Sequence, residues 1–188
     1  FGKSRFMISP YYNNIGKACL QPIMQRAGDP ASFALDESLT ESLEFVRYAA
    51  ANLPPMQLRV LPPSTADRVV VFVDAEGKKR DARSGSPPSG HIGFVVYHPI
   101  FGRCHGSGRI PDRLVELLDA LKQRTTYIGQ FELVGAIVPF LSLPSKWFRG
   151  QHVELWIDNT MAIGGLLKGY SGKPDCARII NMFYFTFA

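Results

Sequence analysis

Three acids stand apart from the other charges of this chain, because each is set in an apolar stretch. Asp74 ends the run Val69-Val70-Val71-Phe72-Val73, five strand-forming residues followed by a short polar turn. Asp158 ends a second run of the same form, Val153-Glu154-Leu155-Trp156-Ile157. Glu132 is a lone acid inside the helical apolar pattern Gly129-Gln130-Phe131-Glu132-Leu133-Val134-Gly135-Ala136. Brought to one spot, three carboxylates repel one another unless cations compensate them. Hard oxygen donors without His or Cys select Mg²⁺ or Mn²⁺ over zinc. Two such ions side by side are the standard device for in-line phosphoryl displacement. The expected chemistry is therefore metal-dependent phosphodiester hydrolysis. Two Mg²⁺ ions, replaceable by Mn²⁺, would be held by Asp74, Glu132 and Asp158, with Asp74 bridging both.

For these acids to meet, the two strands must be parallel neighbours joined by a right-handed crossover, which sets their carboxyl ends side by side. The crossover carries Glu132, with Gly135 and Ala136 on the same helix side, small enough to let that helix approach the sheet. The rest of the chain reads in order. Residues 1 to about 35 are irregular, punctuated by Pro and Gly, with a turn at Tyr11–Asn14. A helix follows, capped by Asp36 or by Ser38 with Glu41, its apolar side formed by Leu39, Leu43, Val46, Ala50 and Leu53. A Pro-bearing linker, Pro54 to Asp67, leads into the first strand, whose apolar residues on both sides predict burial of both faces. After a polar loop, His91–Tyr97 is a second strand, and Phe101–Gly108 a weaker third because of its glycines. Two helices come next, one opening at Pro111-Asp112 and one over Ile128–Leu141 that Pro139 should kink or shorten. The Asp158 strand precedes a helix capped by Asn159 or Thr160, and a last helix starts near Asp175. The order is a helical lead-in, then β-β-(β)-α-α-β-α-α.

Composition sets wide limits. The chain has 188 residues, 46% hydrophobic and 20% charged, enough apolar material for a substantial core and too little charge for a disordered tail. A formal charge of +5 favours a polyanionic partner only mildly. Cys19, Cys104 and Cys176 are far apart, with no CxxC, and read as thiols of a reducing, intracellular compartment, cytoplasm or nucleus. No apolar run approaches bilayer-spanning length, so no membrane partner is expected. The chain begins at Phe1 and stops within the aromatic run Met182–Phe187, and both ends are expected to be cut from something longer.

The triplet Asp74…Glu132…Asp158, on a first strand, a crossover helix and a later strand, resembles the ribonuclease H fold. The phrases "VVVFVDAEG", "IGQFELVGAI" and "LWIDNTMAIGGLLKGYSGKPDCARIIN" are similar, more narrowly, to the RNase H portion of retroelement reverse transcriptases of the tyrosine-recombinase, DIRS-like kind. The lead-in, "ACLQPIMQRA" through "EFVRYAAANLPP", is similar to the segment joining polymerase and RNase H in those polyproteins. The resemblance implies an α/β fold with an RNase H-like mixed sheet flanked by helices, over residues 67–188 and truncated at its C-terminus. Residues 1–66 would be a helical, irregular connector from an upstream polymerase region. It further implies hydrolysis of the RNA strand of RNA–DNA hybrids, with Asp74, Glu132 and Asp158 as metal ligands and the reverse transcriptase polymerase domain as a partner. The sequence departs from the family where Glu76 replaces the usual Ser. The family's fourth acidic ligand lies on a later helix, and Asp175 reads as a helix cap.

Lys78, Lys79, Arg80 and Asn159 are the expected substrate contacts. Arg83 belongs to the same basic loop, which also reads as a solvated hairpin tip. The four histidines have no ligand spacing, His105 in its Gly-rich bend being the one to revisit, and Trp147, Phe148 and Trp156 read as core or cover. "VFVDAEG" superficially resembles the nucleophile strand of haloacid-dehalogenase-type phosphatases, but the following Thr or Val and the downstream lysine and paired aspartates of that family are missing. The remaining alternative is a catalytically inactive RNase H-like connection domain that binds nucleic acid or packs on a polymerase.

Overall fold

The computed structural model describes residues 20–28, 34–52, 68–81, 83, 85–121 and 124–186. The Tyr11–Asn14 turn, Cys19, Leu53 and the Pro54–Asp67 linker lie outside them. Backbone proximity divides the chain into two compact units, Phe1–Leu58 with Gly165–Ala188, and Arg59–Gly164. The second is mixed α/β. It holds β1 (Arg68–Lys78), β2 (Ser89–His98), β3 (Gly102–Arg109), α3 (Asp112–Leu121), α4 (Ile128–Gly135), α5 (Val138–Ser142) and β4 (His152–Trp156). Helix α6 (Thr160–Lys168) crosses the division, which falls between Gly164 and Gly165. The first unit holds α1 (Leu20–Gly28), α2 (Glu37–Asn52) and α7 (Pro174–Thr186).

The sheet has the order β3-β2-β1-β4. β1 pairs antiparallel with β2 and parallel with β4, so the two strands that lead to aspartates are parallel neighbours. β3 is a full strand of eight residues despite its glycines, because β2 supplies a ladder partner along its whole length. One sheet face is the core. Val69, Val71 and Val73 from β1 and Phe94 and Val96 from β2 are buried against Val138, Phe140, Leu143, Trp147 and Phe148, and Val153, Leu155 and Ile157 join them. Each large apolar side chain fully removed from water here contributes about 1.5–3 kcal/mol to the unit's stabilisation.

The opposite face corrects the expectation of a strand covered on both sides. Phe72, Tyr97 and Trp156 all stand out on it as exposed aromatics. Trp156 is thus not core, whereas Trp147 and Phe148 pack on the buried cluster as expected. Apolar residues on both sides of β1 did not force two covers, because neighbouring rings shield each other. Phe72 stacks on Trp156 with centroids 5.8 Å apart and meets Tyr97 edge-on at 6.1 Å.

The Ile128–Leu141 segment is two helices. After Gly135 the chain turns through Ala136 and Ile137, and Pro139 sits in the first turn of α5, where its missing N–H costs little. In the first unit, Leu20–Gly28 is helical where an irregular lead-in was expected. Its Leu20 and Ile23 are buried with Leu39, and Val46 packs on them, while Pro22 falls in the first turn, where its missing N–H costs little. Asp36 caps α2, accepting the Leu39 N–H at 2.8 Å and the Ser38 hydroxyl at 2.8 Å, which holds its carboxyl below the usual range. The buried stripe of α2 is Leu39, Ser42 and Ala49, with Val46 half-buried beside it. Leu43 and Ala50 are exposed, a rotation of the expected face by about one residue. Among the described residues no helix is long and apolar enough to cross a membrane.

Candidate metal centre

The site is built where β4 stops short. The β1–β4 ladder ends at Phe72↔Trp156, and two residues further along each chain stand Asp74 and Asp158. Parallel register therefore delivers both aspartates to the same end of the sheet. Both are exposed.

Glu132 reaches them from α4, which lies on the core face of the sheet. A Cβ added at Gly135 would meet Ile92 at 3.4 Å and Val73 at 4.0 Å, so this turn of the helix rides directly on β1 and β2. Ala136 is fully buried beside it. The small pair one turn beyond the glutamate does what its spacing implied. A second anchor was not foreseen. Gly77 and Gly90 face each other across β1 and β2, and the fully buried ring of Phe131 lies over them. A Cβ at Gly90 would come within 2.6 Å of that ring and 2.7 Å of the Glu76 carbonyl. The opposed glycines in the two flanks of the basic loop were the signal that could have found it. With Phe131 seated, the next residue is aimed at the sheet end.

The three acids converge. One carboxylate oxygen from each of Asp74, Glu132 and Asp158 lies within 4.8 Å of the other two, a grouping that could hold a metal ion. Glu132 is only 3% exposed. Burial foremost, then the charges of Asp158 and Asp74, push its carboxyl up to about 7, although the Ala75 N–H hydrogen-bonds to it and pulls the other way. Its Oε2 is buried without a hydrogen-bond partner. A buried carboxyl oxygen with an unfilled lone-pair site, beside two more carboxylates, is what a hard cation would satisfy. The donor set is all oxygen, with no histidine or cysteine, and it fits Mg²⁺ or Mn²⁺.

The expected substrate contacts fare unequally. Lys78 and Lys79 are exposed. Arg80 is drawn inward: its guanidinium bonds Asp119 at 2.5 Å and the Arg124 carbonyl at 3.4 Å, and its N–H donates to the Thr125 carbonyl at 2.8 Å. Asp119 also accepts the hydroxyl of fully buried Tyr127, the residue that precedes α4. Burial and the Asp119 carboxylate push that phenol up to about 12. Burial would raise Asp119 itself, but Tyr127 and Arg80 outweigh it and its carboxyl is lowered. Arg80 thus braces the loop to the start of the glutamate's helix. Asn159 is the N-cap of α6, its Oδ1 accepting the Met161 and Ala162 N–H groups at 3.1 Å each. That bond holds the chain just after Asp158 in place.

Glu76 is exposed beside His91 at 3.4 Å and is not one of the converging acids. Asp175 lies in the first turn of α7 and is buried. His98 is structural: its Nδ1 accepts the Ile100 and Phe101 N–H groups at 3.0 and 3.1 Å, and burial lowers its pKa. His105 is exposed on β3. Comparison with protein-family models, with curated proteins and with solved structures returned no match.

Proposed function

We propose that this protein is a metal-dependent endonuclease that hydrolyses the RNA strand of RNA–DNA hybrids, acting inside the cell as part of a retroelement reverse transcriptase. The single observation that carries the hydrolytic reading is the convergence of Asp74, Glu132 and Asp158 within 4.8 Å around a buried, unpartnered carboxylate oxygen. The choice of hybrid as substrate, and of a polymerase domain as partner, rests on the resemblance of the segments that carry the three acids.

Asp74, exposed on β1, and Asp158, exposed just past the end of β4, offer oxygens from the solvent side, and Glu132 closes the site from beneath. These three would hold two Mg²⁺ or Mn²⁺ ions, with Asp74 shared between them. The chemistry such a pair supplies is activation of a water for in-line attack on phosphorus and stabilisation of the departing oxygen. Glu132, fixed by Phe131 and the Ala75 N–H, sets the geometry in advance, which lowers the cost of assembling the charged centre. Lys78 and Lys79 stand on the strand that carries Asp74 and the loop after it, in position to contact the backbone of a polyanion.

The test is cleavage of an end-labelled RNA–DNA hybrid with Mg²⁺ or Mn²⁺. Asp74→Asn should lower the rate by about a hundredfold or more while leaving the circular dichroism spectrum unchanged. Equal rates for Asp74→Asn and the parent would remove the assigned role. Calorimetric titration showing no Mg²⁺ or Mn²⁺ uptake would favour a domain that binds hybrid without cutting it.

A further inference from the structure

The open sheet face carries an organised surface that the hydrolytic reading leaves unused. Side chains on this face fall into rows across the strands. One row runs Trp156 (β4), Phe72 (β1), Val95 (β2), His105 (β3), set by the registers Phe72↔Trp156, Phe72↔Val95 and Val95↔His105. On one side of it, Glu154, Val70, Tyr97 and Arg103 form the next row, and the Glu154 carboxylate is paired with Arg68. On the other side Asp74 pairs with Gly93, and Gly93 with Ser107. The aromatic row and the acidic row are one pleat repeat apart.

Three features of this face point to a ligand. Phe72, Tyr97 and Trp156 are 44%, 45% and 52% exposed, a continuous aromatic set where a soluble sheet would place polar side chains. Trp156 stands on β4 at the edge of the sheet order, with Phe72 on one side of its ring, so a further ring can extend the stack. Next to Asp74, a Cβ added at Gly93 would meet nothing within 4 Å, so the surface between the aromatics and the acids is open. Charge adds the second half. β3 contributes Arg103, His105 and Arg109 and no acid, and all three are exposed. Arg109 is engaged with Asp112 at 2.6 Å, and Arg103 stands opposite Tyr97 in the register, next to the aromatic set.

We infer that this face binds single-stranded nucleic acid, with an unpaired base stacked on Trp156 and Phe72 and the backbone passing over Arg103 and His105. Aromatic rings on a sheet surface take bases that are out of a duplex, and a neighbouring cation takes the phosphates. A paired base, already stacked on both sides, has no free surface for Trp156. The strand so held runs one pleat from Asp74 and Asp158. It is an unpaired tail adjoining the duplex to be cut. This inference rests on the hydrolytic reading for its class of ligand, yet the two fail separately, since stacking needs no metal.

The probe is fluorescein-labelled oligo(dT), followed by anisotropy in EDTA. Trp156→Ala should weaken binding about tenfold, Trp156→Phe should recover most of it, and Arg103→Ala should flatten the dependence on salt. Asp74→Asn should leave oligo(dT) affinity undiminished while abolishing metal uptake, which separates this surface from the metal centre. Trp147 is packed against His98 and Phe101, so in a Trp147→Phe background the remaining indole reports directly: oligo(dT) should quench it. Affinity of Trp156→Ala within twofold of the parent, or an unquenched Trp156, overturns the inference. So does failure to bind oligo(dT) together with a dimer in sedimentation that Trp156→Ala dissolves, since the face would then be an interface between copies.

Discussion

β1 has two faces that do opposite work. On one, Val69, Val71, Val73 and Ala75 are buried. On the other, Phe72, Asp74 and Glu76 are exposed. The buried face makes the rigid bed on which α4 lies, and the open face presents what that bed positions. Glu132 is the exception that joins them. It belongs to a helix on the core side, yet its carboxylate meets acids at the open end of the sheet. It can do so because β4 ends at Trp156, leaving a gap beyond the ladder through which a side chain from the core side reaches Asp74 and Asp158. A site of this kind combines a closed, dry side that controls geometry with a wet side that admits substrate.

That contrast can be broken from the core side first. Phe131→Ala removes the ring seated over Gly77 and Gly90 and should cost about 3–5 kcal/mol in urea unfolding. It should also loosen metal uptake, because Glu132 is the next residue. Stability loss below about 1 kcal/mol would show that α4 is held elsewhere.

The second test uses charge. The Glu132 carboxyl, ordinarily near 4.5, is raised to about 7 by burial and the two aspartates. Between those values the unfolded chain ionises while the folded chain keeps its proton. Without metal, this group therefore lowers stability as pH rises through that window, by on the order of 3 kcal/mol. Glu132→Gln should remove the slope and be the more stable protein at pH 8 in EDTA, and Mn²⁺ should restore the parent alone. Parallel pH profiles for the two proteins would contradict the buried charge. Metal affinity of the parent should also rise with pH up to the same point, as the competing proton leaves.

Gly90→Ala sharpens the comparison on a smaller scale. Its methyl would press on Phe131 and on a backbone carbonyl that cannot rotate away, at an expected 1–3 kcal/mol measured by thermal unfolding. An unchanged Tm would mean the helix can shift off the sheet. The smallest effect belongs to the open face. Arg109→Ala, at an exposed pair with Asp112, should alter stability by less than about 0.5 kcal/mol. A larger change would give that face a structural role.

Much of the site was legible because strand, helix and acid each carry a local signature. The two apolar runs ending in aspartate and the Gly135-Ala136 pair after Glu132 lead to the convergence that the structure holds. Arg80 was legible as a cation but not as a brace, since its partners Asp119 and Arg124 are distant in sequence. Cover for the second face of β1 was misjudged for the same reason. Alternation reveals that a face is apolar, not whether another element lies against it or the rings lean on each other.

By itself, the order of residues determined the succession of strands, the alternation of side chains along β1 and the identity of the three acids, all of which depend on neighbours a few positions apart. Only the tertiary structure decided that β4 stops at Trp156, that Phe131 finds a glycine slot, and that Trp156 faces water. Those outcomes depend on which distant segments pair and where the ladder ends, and pairing energies act through space between residues that the chain keeps far apart.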